Sequence, residues 1–495
     1  MRQSGILMHI TSLPGPDGIG SLGQEARDFA DFLAAAGMSL WQMLPAGPTG
    51  YGESPYQSSS VFAGNPMLIS LEELRAWGLM DDSALTAYAP ARLDQVDYAA
   101  VRRHKEERLR LCFRQSADRP DIRAAVADFL AGHPWAEDFA LFTAIKRHFG
   151  DAMWTKWPDK AIRLRRKEAV ARYRAELDED VRYHQFCQYL FFRQWDSLKR
   201  YCNDRGIRLF GDMPIYVAED SADTWTHPEV FQLDRDRVPK RVAGVPPDYF
   251  SADGQLWGNP LYRWGSLRLH GYGWWVERMR AMARMYDLIR IDHFIGFANY
   301  YAIPHGAANA RGGKWIVGPG RSLFRTFHRR LPGLSIVAED LGCVNDRVRA
   351  LLRYVGYPGM RVLSFGFGGG EDNPHLPAQY VENAVVYTGT HDNDTARGWI
   401  DHADEAALAH AKRVLGFERP EDGPAAFVRA VMASRADTAV IPMQDVLGLD
   451  GSARMNTPGT IGGNWLWRML PGAASPAEAA RLQELNRQTN RGSQA

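Results

Sequence analysis

Four carboxylates close short apolar runs in this sequence. They are Asp212 in RLFGDMPIYV, Asp292 in DLIRIDHF, Glu339 in SIVAEDLG and Asp392 in VVYTGTHDND. A charge at the edge of a core costs free energy unless it is paired or used. Singly, each has a bland explanation: a cap, a surface ion pair such as Arg290 with Asp292, or a turn at His391–Asp392. Together they carry more weight, because the ends of successive barrel strands meet in one mouth.

Two carboxyl groups flanking one bond are what glycosidic chemistry requires. One, protonated, gives its proton to the leaving oxygen, and the other attacks the anomeric carbon or activates water. Their environments must then push their protonation states apart. In DLIRID, Leu288, Arg290 and Asp292 share one strand face, so the Arg290 cation favours the charged form of Asp292. Glu339 follows the apolar SIVA near other carboxylates, and both desolvation and like charge favour its acid form.

The elements that must position these groups read as a repeat of strand and helix. GILMHI is a first strand. Ser21 opens a helix with Gln24 as its capping-box partner, Leu22, Ala26, Phe29 and Leu33 on one face and Gly37 as the stop. SLWQMLP is the second strand, and GIRLFGD, YDLIRID, LSIVAED, MRVLSFG, NAVVYTG and TAVIPMQ bring the count to eight. Helical patterns such as GWWVERMRAMARM and DRVRALLRYVG lie between them. The expected fold is therefore an α/β (β/α)8 barrel spanning residues 1–495 as one catalytic domain. From about 71 to 200 the pattern is mostly helical and charged on one face, which predicts an inserted helical subdomain with a solvated face. The tail RLQELNRQTNRGSQA ends in polar residues that are expected to fray.

Bulk properties exclude several classes. Lys+Arg is 59 and Asp+Glu is 58, so net charge is +1 and no nucleic-acid partner is called for. The four cysteines show no CxxC spacing, which fits a reduced, cytoplasmic protein. No signal peptide or bilayer-spanning segment is evident, so no membrane partner is expected. HExxH is absent and the histidines have no ligand spacing with cysteines, so no metal is expected. FGFGGGEDN contains GxGxG, but Pro374 and Pro377 follow where a phosphate-binding helix would start. No cofactor is expected. Aromatics in the Gly/Pro/Asn-rich segments GYGESPYQSS, WGNPLYRWG and GNWLWRML offer flat faces on which a sugar ring can stack.

Arg290-x-Asp292, then Glu339, then His391-Asp392 resembles the signature of the α-amylase clan. HITSLPGPDGIGSLG, PTGYGESPYQSSSVFAGNP, GDMPIYVAEDSADTW, GVPPDYFSADGQLWGNPLY and VAEDLG narrow the resemblance to the 4-α-glucanotransferase (amylomaltase, disproportionating enzyme) family. It runs from about Gly5 to Trp465. It implies transfer of an α-1,4-glucan (maltodextrin) segment to glucose or another maltodextrin by a retaining double displacement. Asp292 matches the family's nucleophile, Glu339 its general acid/base, and Asp392 the carboxylate that stabilises the transition state. Asp212, Arg290 and His391 match residues that hold the sugar at the cleaved bond, and Tyr56 the aromatic that stacks on it. Tyr51 matches an aromatic at a remote glucan site. Trp257, Asp248 and Gln255 lie on a loop of about 244–262 that covers the donor chain, and Asn464 lies in the GNW segment. Unlike much of the clan, the chain is expected to carry no C-terminal β-sandwich.

The covering loop is rich in Pro and Gly, so it is expected to be neither strand nor helix. By excluding water it would favour transfer over hydrolysis. The residues alone also admit a retaining α-glucan hydrolase, or a non-catalytic glucan-binding barrel. Oligomeric state is left open.

Overall fold

The computed structural model describes residues 2–81, 88–247 and 251–492. Twelve strands occur among them: β1 (Gln3–Leu7), β2 (Leu40–Gln42), β3 (Arg208–Pro214), β4 (Arg241–Val245), β5 (Gln255–Pro260), β6 (Leu288–Asp292), β7 (Asn299–Pro304), β8 (Lys314–Val317), β9 (Ile336–Ala338), β10 (Gly359–Val362), β11 (Ala384–Tyr387) and β12 (Thr438–Pro442). Eight of these close into a parallel barrel in the order β1-β12-β11-β10-β9-β6-β3-β2. Each coincides with one of the eight runs expected from sequence. Parallel barrel strands are covered on both faces and so read as continuous apolar runs. Among the described residues no strand occurs after Pro442.

Register brings the acidic strand ends together. Asp212 on β3 lies beside Arg290 on β6, and Pro214 beside Asp292. Ile291 pairs with Ala338, which places Glu339 just past the end of the neighbouring strand. Gly211, next to Asp212, is required here: a Cβ would sit 2.3 Å from the Tyr286 ring.

Four local expectations are corrected. The first helix spans Gln24–Ala35 with Gly23 rather than Ser21 at its N-cap, two residues later than expected, and the partner of Ser21 is Glu25 rather than Gln24. Its Oε1 accepts from both the backbone N–H and the hydroxyl of Ser21, at 2.7 and 2.6 Å. The charged run of the helix Tyr98–Ser116 is not wholly solvated, because Lys105 is buried against Asp17 and the Ile69 carbonyl. The tail does not fray up to residue 492: a helix spans Pro476–Gln488, and Arg491 beyond it is buried.

The fourth correction concerns the covering segment, part of which is strand. β4 and β5 form an antiparallel pair within a second sheet, ordered β5-β4-β7-β8. Pro246 and Pro247 fall just beyond β4, and Pro260 ends an edge strand where a missing N–H leaves no partner wanting. The register shifts between Val242 and Gly244, the irregularity that a Gly-containing strand tolerates.

Between β2 and β3 the chain is helical, including Tyr98–Ser116, Pro120–Gly132, Trp135–His148, Lys167–Glu176 and Asp178–Asn203. Phe139, Phe142, Trp154 and Trp157 of this stretch form an apolar cluster of their own, joined by Trp225. Among the described residues no helix is long and apolar enough to cross a membrane.

Candidate active site

Arg290 is the hub of the barrel mouth. Buried on β6, its guanidinium bonds the Asp212 carboxylate from one nitrogen and Asp292 Oδ1 from the other, the latter at 2.8 Å. Its Nε points at Met360 Sδ, 3.3 Å away on β10. Burial opposes the cation, but the flanking carboxylates outweigh it and hold the guanidinium firmly charged. Such charge-assisted bonds fix two side chains from two strands in one orientation.

Tyr56 reaches into the same cluster from the segment after β2. Its hydroxyl donates to Asp212 Oδ2 at 2.7 Å, and its ring stacks on His391 at 5.2 Å between centroids and 17° between planes. Asp212 Oδ1 is buried and has no partner among the described residues. An orphaned buried acceptor is costly. At a pocket wall it suits a hydroxyl donor.

Glu339 is buried just beyond β9. Its Oε2 accepts the His293 backbone N–H at 2.7 Å, and its Oε1 accepts that of Leu341 at 2.8 Å. His293 directly follows Asp292, so the two carboxyl-bearing residues are tied through one backbone bond. Burial, reinforced by the Asp292 charge, pushes the Glu339 carboxyl up to about 8 against the pull of Arg290 and the two N–H groups.

The loop after β11 carries the third carboxylate. His391 Nε2 lies 3.4 Å from Asp392 Oδ1, and that oxygen also accepts from Asn456 Nδ2 at 2.6 Å. Arg454 donates to the Asp392 carbonyl at 2.7 Å. Two further imidazoles are kept neutral by burial: His9, pushed down to about 3 with help from His391, and His293, pushed down to about 4. Each has one ring nitrogen without a partner among the described residues.

The covering hairpin meets the site through Trp257. Its indole packs edge-on to His293 at 4.8 Å, and its Nε1 donates to Gln255 Oε1 at 3.0 Å. Asn464 braces its own loop, accepting from Thr457 N and donating to Thr460. Tyr51 opens the short turn Tyr51–Glu53. Asp248 lies outside the described residues.

Sequence reasoning missed Asn456 and Arg454, and offered Trp465 only as one of the aromatics of GNWLWRML. Trp465 lies 5.9 Å from the Tyr56 ring and 6.0 Å from His391. The only available signal was the long Gly/Pro/Asn-rich stretch RMNTPGTIGGNW, whose length marks it as functional. Among the described residues no cluster of three or more His, Cys, Asp or Glu could hold a metal ion.

A family model described as 4-alpha-glucanotransferase matches residues 8–473. This chain belongs to the 4-alpha-glucanotransferase family. A 4-alpha-glucanotransferase of Thermus thermophilus is 46% identical, with 99% of each chain covered. One from Streptococcus pneumoniae is 45% identical over 98% of this chain and 96% of the relative. Among solved structures, the amylomaltase of Streptococcus agalactiae in complex with acarbose superposes with a TM-score of 0.97 at 41% identity, covering all of both chains. Family and fold make this an enzyme that transfers glucan segments. The barrel mouth of this 4-alpha-glucanotransferase-family chain is the place its geometry offers for that reaction.

Proposed function

We propose that the enzyme acts by a retaining double displacement on an α-1,4-linked maltodextrin donor, with glucose or another maltodextrin as acceptor. Asp292 attacks the anomeric carbon as Glu339 gives its proton to the departing 4-oxygen. This breaks the glycosidic bond and forms a glycosyl ester. In the second half, Glu339, now a carboxylate, takes the proton of an acceptor 4-hydroxyl as that oxygen displaces Asp292. Asp392, braced by Asn456, faces the positive charge that develops on the sugar ring. Asp212 Oδ1 and the neutral imidazoles take up hydroxyl contacts, and Tyr56 stacks on the ring.

The observation that carries this reading is the asymmetry between two neighbouring carboxyls. Asp292 receives a charge-assisted bond from Arg290, whereas Glu339 is buried and held toward its acid form. Free buried thiols at Cys112, Cys187 and Cys202 fit a reducing cytoplasm.

Maltotriose is the test substrate. The reading expects glucose plus chains longer than the substrate, with the α-configuration retained, and Asp292→Asn inactive yet folded. Inverted products, or full activity of Asp292→Asn, would overturn it.

A further inference from the structure

The loop bearing His391 and Asp392 borders a cavity. The cavity is lined by His9, Thr390, Asn393, Asp394, Gln444 and Met455, among others. Ring contacts of His391 with Tyr56 and Trp465 hold one side of the loop, and discrete hydrogen bonds hold the side that borders the cavity. One buried side chain supplies them at both ends. Asp445, in the short helix Met443–Val446 after β12, accepts the Thr388 hydroxyl on Oδ2 at 2.5 Å. Its Oδ1 accepts the Ala396 N–H at 2.6 Å. Thr388 directly follows β11, and Ala396 opens the next helix, Ala396–His402. The two bonds pinch the loop at its base, while Arg454 and Asn456 hold its tip.

Asp445 is 3% exposed and makes no ion pair among the described residues. A buried carboxylate without a cation is expensive, and burial pushes its carboxyl up to about 6. An apolar residue here would leave the Thr388 hydroxyl and the Ala396 N–H without their acceptor, so the side chain is kept for the two bonds it makes at the loop's base.

We propose that Asp445 is a positioning residue for transfer. It sets the span of the loop from Thr388 to Ala396 and through it aims Asp392 at the sugar. This rests on the role assigned to Asp392 above. A loop displaced by a fraction of an ångström weakens contact with the transition state more than with the bound sugar, so kcat falls while KM holds.

The test measures maltotriose transfer by Asp445→Ala, Asp445→Asn, Thr388→Val and Asp392→Asn, with rates expressed per folded enzyme from gel filtration and unfolding amplitude. Asp445→Ala should lose about 100-fold in kcat with little change in KM. Asp445→Asn should recover most of it, since its amide oxygen accepts from Ala396 and its NH2 can donate to the Thr388 oxygen. Thr388→Val, which keeps the Ala396 bond, should fall about 10-fold, and it decides the matter if Asp445→Ala does not fold. Wild-type kcat in Thr388→Val or Asp445→Ala, or parallel changes in kcat and KM, overturns the proposal provided Asp392→Asn is impaired. If Asp392→Asn itself keeps full kcat, the assigned role of Asp392 fails instead.

Discussion

Glu339 is asked to be an acid in the first half-reaction and a base in the second. A carboxyl near its ordinary value would be ionised at neutral pH and could not start the cycle. Burial beside Asp292 holds it up to about 8. The alkaline limb of kcat/KM should therefore fall near that pH, and Glu339→Gln should cut transfer by about 10²–10⁴-fold. A donor whose leaving group needs no proton, such as a glycosyl fluoride, should still glycosylate the Gln variant. Equal loss with both donors would remove Glu339 from the acid role. Stability carries the same signature. The folded-state value exceeds the unfolded one, so the contribution of Glu339 is full below about 4.5 and lost as pH rises toward 8. Glu339→Gln cannot ionise, so its Tm relative to wild type should rise between pH 5 and pH 9. A flat difference across that range would contradict the raised value.

At the scale of elements, we propose that the hairpin β4–β5 favours sugar over water in completing the reaction. Trp257 on β5 packs edge-on to His293, one residue from Asp292. Trp257→Ala, or a shortened connection between the two strands, should raise hydrolysis relative to transfer several-fold, read as new reducing ends against longer oligosaccharides from maltotriose. An unchanged ratio would show that the hairpin does not exclude water. This hairpin also marks the limit of what the sequence discloses. The eight barrel strands were legible because each is an apolar run covered on both faces, and the acids closing β3, β6 and β9 followed from them. The second sheet was not. β8 is exposed along most of its length, and β5 holds Gly258 at φ +80° and ends in proline, so neither shows an apolar run or a clean alternation. Composition argued for a loop, and edge pairing overrode it. The partners of Asn456 and Trp465 were hidden for another reason. These two residues reach Asp392 and Tyr56 across 64 and 409 positions of chain, and only the closed barrel brings those segments together.

Across the whole molecule, chemistry and stability occupy opposite ends of the barrel. Asp212, Asp292 and Glu339 sit at strand C-termini, whereas the last helix docks at the strand N-termini. Arg491, just past that helix, is buried and donates to the carbonyls of Gln3, Met432, Ser434, Ala436 and Asp437. Gln3 opens β1 and Asp437 precedes β12, so one guanidinium from the chain's end staples the seam where the first and last barrel strands meet. Arg491→Ala withdraws all of these donors at once. Some acceptors keep a second partner: Arg2 also reaches Met432 and Ser434, and the Gln3 N–H reaches Asp437. The loss is then about 3 kcal/mol, one or two charged hydrogen bonds rather than five. A chain of this length unfolds with an entropy of about 1 kcal/mol per kelvin, so Tm should drop by roughly 3 °C. Transfer at 25 °C should be unchanged, because among the described residues the hydrogen bonds of Arg491 all lie at the base of the barrel. Differential scanning calorimetry beside a maltotriose assay reads both quantities. A fall in kcat at unaltered Tm would mean that the seam at the base governs the geometry of the mouth, and the division between the two ends would not hold.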